Sequence, residues 1–235
     1  MTTFLDIQNR VQDRVIDLPP KVLADIPNLI NEAIRSAQRR YNFRAMEGSV
    51  VLVTTAGSLT PTPNTIANFK EYKDRGPYML NYLSKARPEI VTDSDTAALA
   101  ALADPLNPGE PLMLLNELDD QSSVWTFSVY PYPDANSDWA DGNYRIVVPY
   151  YYFTPKLVNA TDTNWFVENM DDYIYREATA QAFGLDWDYE SKAVWLQEAE
   201  NKFREAKNAD KTNRLGGVDA LVPQWEGANK PRIIY

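Results

Sequence analysis

Apolar residues recur every three or four positions near the start of the chain. Those of the first stretch are Phe4, Ile7, Val11 and Val15. This period is typical of an amphipathic helix, and Thr3 with Asp6 predicts a capping box in which Asp replaces the usual Glu. Asp6 and Arg10 are one helical turn apart, which favours an ion pair. We expect Pro19 and Pro20 to end this helix.

A second amphipathic stretch has a wider apolar face. Its members are Ile26, Leu29, Ile30, Ala33, Ile34, Ala37 and Tyr41. Proline is tolerated only in the first turn of a helix, and Asp25 is a suitable N-cap just before Pro27. We therefore predict that this helix begins near residue 25.

The middle of the chain is rich in β-branched and aromatic residues, which predict strands. The predicted strands are 49–55, 78–83, 124–130 and 144–148, and the aromatic run 150–153 can extend the last strand past Pro149. The Pro- and Thr-rich segment 59–65 is predicted as a loop and the Ala-rich segment 93–103 as a short helix. We interpret residues 47–159 as one antiparallel β module.

Helical spacing returns after residue 160, in two stretches. The apolar face of the first contains Trp165, Phe166, Met170, Tyr173, Ile174, Ala178 and Ala182. Asp162 or Thr163 is its expected N-cap and Gly184 its C-terminal glycine. The second stretch, 186–207, repeats apolar residues at spacings of four and three, and the glycine pair 216–217 closes it. Those residues are Tyr189, Ala193, Leu196, Ala199, Phe203 and Ala206.

This order of elements predicts an α+β fold. Each outer helix has only one apolar face, so the helices at the two ends of the chain must bury their faces against each other. We predict a helical bundle formed by residues 1–46 and 160–217, with the β module 47–159 inserted into it.

The last 18 residues follow neither period, yet they are not typical of a disordered tail. Disordered segments are poor in aromatic and β-branched residues, whereas 218–235 contains several. We predict a C-terminal arm that docks on another chain. Its expected docking residues are Trp225, Lys230, Arg232, Ile233, Ile234 and Tyr235. Trp225 and Tyr235 are the predicted anchors, and the two cations supply contacts at the rim.

Composition excludes several kinds of chemistry. The chain has no cysteine and no histidine, so catalytic triads and thiolate or imidazole metal sites cannot form within it. The net charge of −10 argues against tight DNA binding, which requires clustered cations. Residues 1–10 do not have the pattern of a signal peptide, and we find no apolar run long enough for a membrane span. We expect a cytosol-made structural protein with no catalytic residues, no cofactor and no metal.

Two acidic patterns are candidates for a calcium site and for a catalytic carboxylate pair. The loop 134–138 resembles the start of a calcium loop, but Trp139 replaces the required glycine and Arg145 replaces the bidentate glutamate. The carboxylate pairs 119–120 and 171–172 are each adjacent in sequence, so neither pair alone forms the facing dyad that glycoside hydrolysis needs. We interpret both patterns as solvated surface.

Aromatic residues are dense in the β module. They are Trp125, Tyr130, Tyr132, Trp139, Tyr144, Tyr150, Tyr151 and Tyr152. Such residues are typical of half-buried strands and protein interfaces, and they can also stack on sugars. A carbohydrate-active or sugar-binding protein is therefore the alternative from another functional class.

Several local phrases, in their order, resemble the head–tail connector (adaptor) proteins of tailed bacteriophages. The phrases are residues 4–7, 40–43, 82–83, 87–89, 130–134, 144–152 and 164–166. The resemblance implies a helical bundle with a β insertion and a ring, commonly of twelve copies, beneath the portal protein. It implies that the ring joins the capsid to a downstream stopper, nozzle or tail protein and leaves a channel for DNA.

The same resemblance implies that the arm reaches into the portal and that the protein resides in the virion after assembly in the host cytoplasm. Another ring of the virion, such as a stopper or a tail terminator, is a further alternative. Those proteins are mostly β, and the long helical stretches argue against them.

Overall fold

The computed structural model describes residues 2–73, 76–80, 106–119, 124–137 and 139–214. The chain divides into two compact units. One unit, here called the helical unit, combines the residues up to Ala45 with those from Lys156 onward. The other, called the β unit, is Met46–Pro155. A short 3₁₀ helix, Arg44–Met46, lies at the boundary in sequence.

The helical unit contains five α-helices among its described residues. They are α1 (Phe4–Arg14), α2 (Pro20–Arg40), α3 (Trp165–Asn169), α4 (Asp171–Leu185) and α5 (Tyr189–Arg214). Helix α4 contacts each of the other four. The helices bury mainly large apolar side chains. Buried members include Phe4, Ile7, Val11, Ile30, Ile34, Phe166, Tyr173, Ile174 and Phe203.

The start of α1 confirms the predicted capping box. The Thr3 hydroxyl accepts a hydrogen bond from the Asp6 N–H, and the Asp6 carboxylate accepts one from the Thr3 N–H at 2.8 Å. The predicted pair of Asp6 with Arg10 is wrong, because Arg10 turns toward Asp171 and Asp172 of α4. The helix ends at Arg14, before the two prolines.

Helix α2 begins five residues earlier than predicted, so Asp25 is not its N-cap. Pro20 occupies its first turn, where a missing N–H costs nothing. Pro27 lies inside the helix, where its ring removes the hydrogen bond to the carbonyl one turn before. The buried residues Val22 and Ile26 lie on both sides of the expected start. Tertiary burial therefore outweighs the local preference of proline.

The predicted helix after residue 160 is two helices, because the chain breaks at Met170. Asn164, not Asp162 or Thr163, is the N-cap, and its side chain accepts a hydrogen bond from the Val167 N–H at 3.0 Å. The Asp162 carboxylate accepts from the preceding turn instead, from the N–H groups of Val158 and Asn159.

Gly184 is also not the terminal glycine that we predicted. Helix α4 continues through it to Leu185. The left-handed backbone conformation that follows the helix is adopted by Trp187, at φ +63°.

The β unit consists of antiparallel strands. They are β1 (Glu47–Thr55), β2 (Ser58–Thr62), β3 (Thr65–Ile66), β4 (Phe69–Tyr72), β5 (Tyr78–Met79), β6 (Met113–Asp119), β7 (Val124–Tyr130) and β8 (Arg145–Tyr152). Five strands form one sheet in the order β2-β1-β8-β4, with β5 also paired to β8. The other sheet has the order β3-β7-β6.

The prediction of a loop at 59–65 is wrong, because β2 and β3 occupy most of it. Among the described strands, β2 pairs only with β1 and lies at the edge of its sheet. Edge strands accept proline because one side of their backbone needs no ladder hydrogen bond, and this explains Pro61. The short strand predicted at 78–83 is present as β5 over two residues. Several predicted features lie outside the described residues. They are residues 81–83 of this strand, the helix predicted at 93–103, the glycine pair 216–217 and the arm 218–235.

The predicted fold class is confirmed as α+β with antiparallel sheets. One cluster of buried side chains fills the β unit. It comprises Leu52, Ile66, Phe69, Met79, Leu114, Phe127, Val129, Tyr144, Ile146 and Val148. Within the part of the chain that the structure describes, no helix combines the length and apolar character needed to span a bilayer.

Candidate interaction surfaces

The predicted docking residues of the arm cannot be placed, because 218–235 lies outside the described residues. The described part of the helical unit presents two other surfaces that suit protein contacts. One is a groove across α4, and the other is an apolar corner where α4 turns into α5.

The groove has a volume of about 670 Å³ and opens between α1 and α5, with α4 as its floor. It is lined by charged and aromatic side chains. These are Arg10, Asp13, Arg14, Tyr175, Arg176, Trp195 and Glu198. They come from both ends of the sequence, and only the packing of α1 and α5 on α4 brings them together.

Arg10 fixes one end of the groove. Its guanidinium donates to Asp171 Oδ2 at 3.0 Å and to Asp172 Oδ1 at 2.9 Å, and it lies 4.6 Å from the centre of the Tyr175 ring. The two carboxylates weighed as a catalytic pair are thus bound by one arginine. This arrangement joins α1 to α4.

Arg176 extends the same network toward α5. It pairs with Asp172 and with Glu198, each at 3.2 Å. The hydrogen bond from Arg10 lowers the pKa of the Asp172 carboxyl, and the charge of Arg176 lowers it further. Asp172 therefore stays ionised and holds both arginines in place at neutral pH.

Arg14 and Trp195 form the open part of the groove. Arg14 donates its Nε hydrogen to the Tyr175 hydroxyl at 3.1 Å, and no carboxylate of the described residues forms an ion pair with it. The Trp195 ring meets the Tyr175 ring edge to face, with centres 5.6 Å apart. The groove thus offers an aromatic wall beside a guanidinium that forms no ion pair within the described residues.

The apolar corner consists of exposed side chains at the end of α4 and the first two turns of α5. Its members are Leu185, Trp187, Tyr189, Ala193 and Leu196, and Trp187 is the most exposed of the large ones, at 77%. The Trp187 and Tyr189 rings touch, with centres 6.1 Å apart. Our prediction that Tyr189, Ala193 and Leu196 continue a buried stripe is wrong. That stripe is buried only from Ala199 onward, at Ala199 and Phe203.

Trp187 adopts a backbone conformation that bulky residues rarely take. An asparagine or glycine would adopt the same turn with less strain. Local strain of this kind persists where a side chain serves something beyond its own fold. In the sequence, three large apolar residues alternate with acids at 185–189. Helical periodicity alone predicts only that a helix begins there.

Two carboxylates in the acidic region of the β unit, those of Asp134 and Asp141, are paired internally. Asp134 accepts hydrogen bonds from the Tyr144 hydroxyl at 2.6 Å and from the Asn136 side chain. Arg145 pairs with Asp141 at 2.9 Å and stacks 4.0 Å from the centre of the Trp139 ring. In the described ranges, no group of three carboxylates lies close enough to hold a metal ion.

The carboxylate pair 119–120 cannot be judged, because its side chains lie outside the described part of the chain.

Several aromatic residues of the β unit serve its core. Tyr144 and Tyr151 are buried, while Trp125 and Tyr150 pack against the Phe69 ring at 5.4 and 5.9 Å. Trp139, on the acidic loop, donates its indole hydrogen to the carbonyl of residue 80. This use supports the interpretation of the aromatic residues as packing and not as a sugar platform.

No curated protein matches the chain. A family model described as SU10 adaptor protein matches residues 2–220, which is nearly the whole sequence. The match includes both units and confirms the resemblance to phage head–tail adaptor proteins that the sequence suggests. Because the match extends over nearly the whole sequence, the chain belongs to the SU10 adaptor protein family.

Proposed function

We propose that this protein is the structural adaptor at the head–tail junction of a tailed phage. Copies of the chain form a ring beneath the portal protein, join the capsid to the tail and leave a channel for DNA. The observation that carries the proposal is the match to an adaptor family over residues 2–220. The ring is commonly a dodecamer in proteins that the sequence resembles, and we adopt that number as the expectation.

The chemistry of the chain suits a passive channel. A net charge of −10 repels phosphates, so DNA passes without being held. Asp171, Asp172 and Glu198 at the groove are paired with arginines, which favours a structural role over a catalytic one. We expect only weak, salt-sensitive binding of free duplex DNA at physiological ionic strength.

In this proposal the segments 1–46 and 160–217 form the helical bundle, 47–159 the inserted module and 218–235 the docking arm. The arm binds the portal through Trp225 and Tyr235, and Ile233 and Ile234 supply further apolar contacts. A large apolar side chain gains about 1.5–3 kcal/mol when fully buried, so several anchors offset the cost of ordering an extended segment. A stopper, nozzle or tail protein binds the opposite side of the ring.

Deletion of residues 218–235 tests the arm. The truncated protein should keep its melting temperature, measured by circular dichroism, and should fail to attach to purified portal-bearing heads in a sedimentation assay. A matched variant, Gln224→Ala, leaves all of the proposed anchors in place and should attach like the wild type. Truncation that unfolds the chain, or that leaves attachment intact, would show that the arm is not the docking element.

A further inference from the structure

Helix α5 separates the groove from the apolar corner. Trp195 and Glu198 line the groove, whereas Tyr189, Ala193 and Leu196 belong to the corner. At 3.6 residues per turn, the two sets point roughly 150° apart around the helix axis. The buried residues of α5 lie between them. A single copy therefore presents two different surfaces on opposite flanks of one helix.

The corner has the properties of a surface that is covered in an assembly. Leu185 is 50% exposed, Tyr189 58% and Trp187 77%. On soluble proteins, contiguous apolar patches larger than roughly a few hundred Å² mark interaction sites. Aromatic side chains are also the residues that interfaces bury most often.

The charges around the two surfaces are complementary. The corner is bordered by Asp186, Asp188 and Glu190, and the Asp188 carboxylate caps α5 by accepting from the Ser191 N–H at 3.0 Å. The groove presents Arg14, which no described carboxylate pairs. Among the described residues, none of these three acids forms an ion pair, so they are available to a cation of another chain.

We propose that the apolar corner of one copy packs into the groove of a second copy. In this contact Trp187 and Leu196 lie against Trp195 of the neighbour, and Glu190 approaches the neighbour's Arg14. Both halves of the complementary pair are on the same chain, which favours a second copy over an unrelated partner. The inference rests on the proposed ring, since it names the surfaces that neighbouring copies use.

Because the two surfaces differ, the contact is heterologous. After two copies join, one copy still has a free groove and the other still has a free corner. Such contacts repeat head to tail, and they close into a ring when the rotation between copies permits it. A two-fold symmetric dimer, by contrast, would bring identical surfaces together.

The chain has no cysteine, so introduced cysteines report single contacts. Leu196→Cys places a thiol in the corner, and Asp13→Cys places one in the groove without removing Arg14. Disulfides form only when the two Cα atoms come within about 4.4–6.8 Å. Under mild oxidation, a mixture of the two variants should give a cross-linked dimer, and each variant alone should give none.

Two further samples sharpen the result. A full-length chain that carries both cysteines should give a ladder of linked oligomers. A mixture of Asp13→Cys with Val158→Cys should remain unlinked, because Val158 is 78% exposed in the helical unit but belongs to neither surface.

Charge reversal provides an independent test. Arg14→Glu and Glu190→Lys should each raise the concentration needed for assembly by about tenfold or more, because like charges across an interface are strongly unfavourable. A mixture of the two variants restores a favourable pair at every contact and should assemble like the wild type. Light scattering measures the mass in each case.

The outcomes separate this contact from the proposed function. Cross-linking of Leu196→Cys with itself would reveal a symmetric contact and overturn the inference. Wild-type rings without any mixed cross-link would overturn the inference and leave the adaptor function standing. If the full chain forms neither rings nor mixed cross-links at any concentration, the inference and the proposed ring both fail.

Discussion

The two halves of α5 have the same apolar spacing and different surroundings. In the second half, Phe203 is 4% exposed and packs against the rings of Phe43 and Tyr173. In the first half, Tyr189 and Leu196 carry the same stripe into solvent. Periodicity therefore specifies which side of a helix is apolar, but it does not specify how much of that side its own fold covers.

The difference indicates a division of labour along one helix. The second half buries its apolar stripe within the helical unit, while the first two turns present the same stripe to solvent. If this is correct, substitutions of similar size should have very different effects on folding according to their position along α5.

The largest expected effect is that of Phe203→Ala. The ring is buried, and the Arg40 guanidinium lies 4.0 Å from its centre. The free energy of unfolding should fall by about 3–5 kcal/mol, as is typical for removing a buried phenylalanine ring. Urea denaturation followed by circular dichroism measures this value. A loss below about 1 kcal/mol would contradict the assignment of the second half to the core.

A smaller effect is expected for Asp210→Ala, near the end of α5. Asp210 is 4% exposed and accepts a hydrogen bond from the Arg44 N–H at 3.0 Å. Its removal breaks this part-buried hydrogen bond, so we expect a loss of about 1–3 kcal/mol in the free energy of unfolding. The exposed Asp17→Ala is the matched control and should change stability little. Equal effects of the two substitutions would refute the role assigned to Asp210.

The groove network should contribute less, and its contribution should depend on pH. Asp172 is half exposed, so Asp172→Asn should lower the free energy of unfolding by at most about 1 kcal/mol at neutral pH. Its pKa is lowered in the folded state by the hydrogen bond from Arg10. The stabilisation is therefore complete above the ordinary aspartate pKa of about 3.9 and is lost as the pH falls through the lower folded value.

Thermal unfolding of both proteins between neutral and strongly acidic pH measures this dependence. The difference between wild type and Asp172→Asn should shrink as the pH drops. A difference that stays constant across this range would mean that packing, and not the charge of Asp172, accounts for the effect.

The smallest effect is expected in the first half of α5. Tyr189→Ala and Leu196→Ala remove side chains that are exposed by 58% and 36%, so each should change the free energy of unfolding by no more than about 0.5 kcal/mol. The same urea denaturation gives this value, and Phe203→Ala is the comparison. Losses above about 2 kcal/mol would show that the first half is also part of the core.

Much of the fold can be predicted from local sequence. Strand β7 has the predicted bounds, Val124–Tyr130, because its alternating β-branched and aromatic residues have no competing pattern. The capping box at Thr3 is likewise a local motif. Helix faces that depend on repeated spacing, such as that of α4, are also recovered.

Elements that depend on distant partners were missed. Strand β6, Met113–Asp119, contains leucine and glutamate, which favour helices, and it forms along β7 with Met113 opposite Tyr130. Strand β4, Phe69–Tyr72, has four residues, too few to show a period. Both strands are defined by pairing across the sheets.

The candidate surfaces were the least predictable part. The groove joins Arg10 to residues 161 and 162 positions away in the chain. Local sequence patterns do not reveal a pairing over such a separation. The helical pattern at 165–182 continues through Met170, whereas the chain breaks there. The exposed corner could not be predicted, because it depends on where the neighbouring helices stop covering α5.

Electron microscopy of phage heads tests most directly whether copies of this chain form an adaptor ring on the portal. Portal-bearing heads that lack tails would be incubated with the purified full-length chain and imaged beside untreated heads. The account predicts an added ring of density beneath the portal, with a mass many times 26.8 kDa and an open centre. Heads that remain unchanged, or single copies bound elsewhere on the capsid, would contradict it.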